Sequence, residues 1–168
     1  MKLSIELYKL ELLFDELNNH FFDGELNSPV ITIQLDAYAA GWCDGVIRRW
    51  RNRQGGRFAE IGVNPKLLCR PFSEVAEVML HEMIHLFIFQ NNLSDGSHDK
   101  TFKECSEAHG LIVTQAGKQS YKRTDLSATT AEWVKEKFPS EKFDIYMYGW
   151  EDGWKSRMDE AGKEYNGT

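Results

Sequence analysis

The sequence predicts an α+β fold, with an N-terminal helix, a small antiparallel sheet and a central helix packed against that sheet. Three observations carry the expectation. The chain opens on a helix-period apolar face, continues through β-branched and glycine-punctuated segments, and then reaches residues 73–90, which are apolar nearly all round. A helix apolar on every side belongs in the interior, where an amphipathic helix and a one-sided sheet can cover it.

Residues 4–19 place Ile5, Leu10, Leu13, Phe14 and Leu17 on one broad face, with Ser4 expected as the N-cap and Asp23-Gly24 as the following turn. Ser28-Pro29 introduces Val30-Ile31-Thr32-Ile33-Gln34-Leu35, a β-branched run that reads as a strand. Residues 39–64 read as two strands around RNRQGG, where Gly55-Gly56 is the hairpin signal. Ser73 is the expected N-cap of the central helix, with Glu74 and Glu77 near its positive end. Residues 91–97 read as a polar loop, and residues 99–109 as a short helix ended by Gly110. Beyond Leu126 the composition shifts, and three of the five tryptophans (Trp133, Trp150, Trp154) lie there. WVKEKF reads as a helix and KFDIYMYG as a strand. The expected organisation is a core over residues 1–126 and an acidic, aromatic extension over 127–168 packed on it.

Bulk properties narrow the function. With 168 residues, 42% hydrophobic and 27% charged, the chain reads as a soluble globular protein. A net charge of −6 excludes general attraction to nucleic acid but not a local basic patch. No apolar run reaches the roughly 18–20 residues of a membrane span. Acidic residues interrupt the first apolar segment, unlike a signal peptide. Cys43, Cys69 and Cys105 are widely spaced and odd in number, so free thiols in a reducing compartment, and a cytoplasmic location, are expected. Cys43 and Cys105 read as small core residues, His20 as a helix-end residue, and His109 as a helix C-terminal one.

The central helix poses a problem that its apolar residues do not solve. VMLHEMIHLFIF, residues 78–89, buries two histidines and a glutamate, and each unsatisfied buried polar group costs about 1–3 kcal/mol. His81-Glu82-Met83-Ile84-His85 resolves it as an HExxH pattern. Histidines four apart on a helix point the same way, offset by about 40°, so both imidazoles can reach one metal ion. Zinc suits nitrogen ligands in a tetrahedral site with one open position. There it acidifies a bound water and polarises a carbonyl, and Glu82 is placed to take the proton as general base. Accidental coincidence of the pattern is expected in fewer than about one in a hundred chains of this size. For the third protein ligand, His98 stands across the polar loop, with Glu104 and Glu107 as competitors of the kind thermolysin-like peptidases use. A metzincin pattern is excluded, because Ile88 and Asn91 occupy its glycine and histidine positions.

VMLHEMIHLFIFQNNLSDGSHDKTFKE resembles the SprT-like (Spartan-type) metalloprotease family, in which HEMIH is followed by a polar loop and a third histidine four residues before a phenylalanine, here His98 and Phe102. LNNHFFDGEL and AGWCDG with IGVNPKLL extend the resemblance to roughly residues 5–115. It implies a zincin-like core, one catalytic zinc on His81, His85 and His98, Glu82 as general base, endopeptidase activity on protein substrates, and a setting in DNA–protein crosslink repair. Many members carry a C-terminal cysteine-rich ribbon, whereas residues 127–168 hold no cysteine.

Arg48, Arg49, Trp50, Arg51, Arg53 and Arg57 crowd one hairpin tip without an acid between them. Arginines there can bind phosphates and Trp50 can stack on an unpaired base, whether of single-stranded or damaged DNA. The competing reading is a solvated turn, or arginines paired with the acidic extension. For the whole chain, the rival to a peptidase is a DNA-binding or interaction module with a closed, structural zinc.

Overall fold

The computed structural model describes residues 1–115 and 120–155. Helix α1 (Leu3–Phe21) buries Leu10, Leu13, Phe14 and Leu17. It starts at Leu3, so Lys2 rather than Ser4 is the N-cap residue, and no side chain caps it. This terminus is exposed, so water can serve its free N–H groups.

Strands β1 (Val30–Ile33), β2 (Gly41–Asp44) and, after a further small hairpin, β5 (Glu60–Val63) form a three-stranded sheet in the order β1-β5-β2. β5 pairs antiparallel with β2, Cys43 opposite Ile61, and parallel with β1, Ile31 opposite Ile61. The sheet is therefore mixed rather than purely antiparallel. The cause is that β5, whose Ile61 and Val63 are fully buried, takes the central place between two strands that run in opposite directions. β3 (Trp50–Arg51) and β4 (Arg57–Phe58) pair separately. The long hairpin expected over 39–64 thus breaks at residues 45–49, where Arg48 takes a positive φ of 50°. Its tip is closed by Asn52, whose Oδ1 accepts from the Gln54 and Gly56 amides.

Helix α2 (Phe72–Gln90) is the core of the molecule, with Val75, Ala76, Met79, Leu80, Met83 and Ile84 wholly buried. Pro71, not Ser73, occupies its N-cap, and the Pro71 carbonyl accepts from the Glu74 amide at 2.9 Å. Proline needs no partner for an N–H it lacks, which suits the residue before a helix. Helix α3 (Lys100–Ala108) is capped by Asp99, whose side chain accepts from the Phe102 amide. Gly110 reverses the chain at φ +92°, and a Cβ there would meet Thr130 Oγ1 at 2.5 Å and Phe21 Cε1 at 2.6 Å.

A hairpin of β6 (Leu111–Thr114) and β7 (Arg123–Leu126) follows, unannounced by sequence pattern. Helix α4 (Ala128–Lys137), capped by Ser127, occupies the region of WVKEKF. KFDIYMYG forms no strand. Its amides go elsewhere, Asp144 to Glu6 Oε1 and Met147 to the Pro65 carbonyl, while Phe143 stacks on Phe72. Phe143 and Trp150 are buried in the same core as α2. Residues 156–168 of the expected extension lie outside the described residues. No helix among the described residues is long and apolar enough to cross a membrane.

Candidate metal centre

Glu77, His81 and His85 succeed one another at four-residue spacing on one face of α2, so all three look into one cavity of about 610 Å³. His98 is brought to them by the loop after α2. Phe89 is held between Gly45 and Gly96, where a Cβ on either glycine would come within 2.2 Å of its ring. The Tyr121 amide donates to the His98 carbonyl at 3.0 Å, fixing the histidine's backbone. His98 Nε2 then lies 3.0 Å from His81 Nε2 and 3.2 Å from His85 Nε2, and the three ligand atoms all fall within 4.8 Å of one another. Phe102, fully buried, packs on all three imidazoles at 4.7–4.8 Å between ring centres.

Burial holds all three imidazoles below their ordinary pKa, His85 down to about 4. Near neutral pH they are uncharged and have lone pairs to offer a cation. The tautomer of His81 is set from behind. The Thr124 hydroxyl donates its single proton to Glu77 Oε1 at 2.9 Å, so it can only accept at His81 Nδ1, 3.0 Å away. Nδ1 then carries the proton, and Nε2 faces His98 bare. His85 hydrogen-bonds to the Gly96 backbone, in a sense that favours its protonated form.

Glu82 sits beside this cluster, 7% exposed, and burial pushes its pKa up to about 8. A cation at the histidines would draw it down again. Gly41 of β2 makes room for it, because a Cβ there would lie 2.8 Å from Val78 Cγ1 and 3.1 Å from Glu82 Cγ. The glutamates considered as third ligands are turned away. Glu104 and Glu107 pair with Lys100 and Lys103 along exposed parts of α3. Cys43 lines the cavity, but burial, then the charge of Glu82, push its thiol up, so it offers a proton-bearing sulfur rather than a thiolate. Among the described residues, the cluster of prospective ligands contains His81, His85 and His98.

The sequence presents Glu77 as a helix-dipole residue and carries no signal for Thr124 or Lys155. Glu77 is in fact 5% exposed and bonded to both. Its place four residues before His81 was the available signal. Nothing in the sequence brings Thr124, on an unforeseen strand, or Lys155 to the same spot.

The arginine hairpin lies apart from this centre. Arg48, Arg49, Arg51, Arg53 and Arg57 are exposed, and Arg51 stands directly opposite Arg57 across β3 and β4. Among the described residues their ion pair is Arg49 with Asp44 at 3.8 Å, and the C-terminal segment supplies none. Trp50 is 43% exposed, and its Nε1 donates to Glu60 Oε2 at 2.9 Å.

The SprT-like family model matches residues 10–122. The DNA-dependent metalloprotease dvc-1 of Caenorhabditis elegans is 33% identical over 111 residues, a stretch covering 64% of this chain and 28% of the worm protein. No solved structure matches.

Proposed function

The chain belongs to the SprT-like family, and we propose that it is a zinc-dependent endopeptidase acting on proteins bound or crosslinked to DNA. The observation that carries the reading is the convergence of three imidazole nitrogens beside a buried glutamate. The donor set fits the ion. Zinc–nitrogen bonds of about 2.0–2.1 Å at tetrahedral angles require nitrogens about 3.3–3.4 Å apart, against 3.0 and 3.2 Å here. Zinc held by His81, His85 and His98 would supply Lewis acidity toward a scissile carbonyl and toward a water at its open position.

The rest is done by the chain. Glu82 accepts the proton of the attacking water and returns it to the leaving amine. Burial raises its proton affinity above that of an exposed carboxylate, and a cation at the histidines would offset that rise. β2 is an edge strand whose Gly41, Trp42 and Cys43 line the cavity. An extended substrate segment can add to that edge by main-chain hydrogen bonds and pass the histidines.

Support for a DNA setting comes from the worm relative's name and from the hairpin. Like charges opposed on neighbouring strands repel, and a phosphate between Arg51 and Arg57 would relieve that repulsion. The exposed part of Trp50 offers a stacking face for an unpaired base. The test is cleavage of a DNA-bound protein by wild type and Glu82→Gln, with and without single-stranded DNA. Wild type is expected to cleave, faster with DNA, while Glu82→Gln retains zinc and is inert. Zinc-loaded wild type that cleaves nothing under either condition would move the assignment to a binding module with a structural zinc.

A further inference from the structure

The segment before residue 156 straps across α2 below the metal centre. The Arg70 guanidinium donates to the Glu151 carbonyl, Trp154 Nε1 donates to Glu74 Oε2 at 2.9 Å, and Trp150 is 5% exposed. The strap ends by delivering Lys155. Its ammonium meets Glu77 Oε2 at 2.8 Å, Asp125 Oδ1 at 2.5 Å and the Thr124 carbonyl at 3.1 Å.

We propose that Lys155 is a positioning residue for the metal centre, acting on His81 through Glu77 and Thr124. The proposal rests on the metal-site reading above. An ammonium can only donate, and an ionised carboxylate can only accept. Burial pushes the Glu77 carboxyl up and Lys155 draws it down, so the ammonium holds Glu77 in its ionised, accepting form and with it the direction of the chain of bonds. Glu77 accepts from Lys155 and from Thr124, Thr124 accepts from His81 Nδ1–H, and His81 Nε2 stays unprotonated for the metal. Groups that orient a ligating histidine from behind typically govern metal affinity by about 10–100-fold. Here the last of them comes from a segment beyond residues 10–122, the stretch the family model matches.

The experiment measures zinc affinity of the full chain by competition with a chromophoric chelator, with metal-free thermal stability recorded alongside. Wild type must first bind one zinc tightly and His85→Ala must not; failure at this step rejects the metal site itself. Given that, Lys155→Met and Thr124→Val are each expected to weaken zinc binding about 10–100-fold. The double variant is expected to be no weaker than Thr124→Val alone, because both changes break one chain. Lys155→Arg is expected to restore affinity. Trp154→Phe removes the indole bond to Glu74 while Lys155 keeps its bonds to Glu77, Asp125 and the Thr124 carbonyl, and is expected to bind zinc as wild type does. Unchanged affinity in Lys155→Met, additive losses in the double variant, or an equal loss in Trp154→Phe would each overturn the positioning role. If Lys155→Met does not fold, Thr124→Val and Lys155→Gln carry the same cycle.

Discussion

The molecule holds two polar clusters in opposite ways. At the α2 centre, Glu77, Glu82 and His85 are buried and His81 and His98 half-buried, with Phe102 packed on the three rings and Thr124 and Lys155 behind His81 and Glu77. At the β3–β4 tip, five arginines stand in solvent, two of them opposed across the strands. The first cluster is preorganised, so its geometry already states what it can hold. The second is a field of charge whose order depends on a partner. A site for chemistry can thus be read from the free chain, whereas a site for recognition is read only through what it would relieve.

The comparison can be broken at several points. Glu82→Gln is expected to cut turnover about 10²–10⁴-fold while zinc stoichiometry, measured by elemental analysis, stays at wild-type level. A small loss would mean that the buried cluster is not the chemical one. Charge reversal of Arg49, Arg51 and Arg53 to glutamate should leave hydrolysis of a small peptide untouched. It should lower the slope of log affinity for single-stranded DNA against log salt by about 0.7 per lost phosphate contact, or roughly 2 for three contacts. An unchanged slope would return the hairpin to the status of a solvated turn. Gly41→Ala drives a methyl group into Val78 and Glu82. It should cost about 1–3 kcal/mol, read from the denaturant midpoint, because the interior cluster has no slack. Trp50→Ala should have the smallest effect, about 1 kcal/mol in DNA affinity, since its indole N–H is already committed to Glu60.

What was legible in the sequence follows the same division. A rigid helix turns spacing into direction, so the spacing of His81, Glu82 and His85 marks one candidate site by itself. His98 was legible as one candidate ligand beside Glu104 and Glu107, and the family resemblance, not the local pattern, singled out His98 with Phe102; in the structure Asp99 caps the helix that places Phe102 against the histidine rings. Outside that helix the signal fades for physical reasons. Parallel pairing of β1 with β5 depends on which strand wins the central place, and local alternation does not encode that. KFDIYMYG has strand composition, yet its amides find Glu6 and Pro65 instead of a ladder. Thr124 and Lys155 meet Glu77 across 47 and 78 residues of chain, a distance no periodicity spans.

The zinc coordination shell is the most direct test of the central claim, that three histidines hold a metal with an open position. X-ray absorption at the zinc edge of the full chain should give nitrogen or oxygen scatterers at about 2.0–2.1 Å. Imidazole features should correspond to three rings, and His98→Ala should lose the tightly bound zinc. A sulfur scatterer at about 2.3 Å would close the site with a thiolate and contradict the assignment of a catalytic metal.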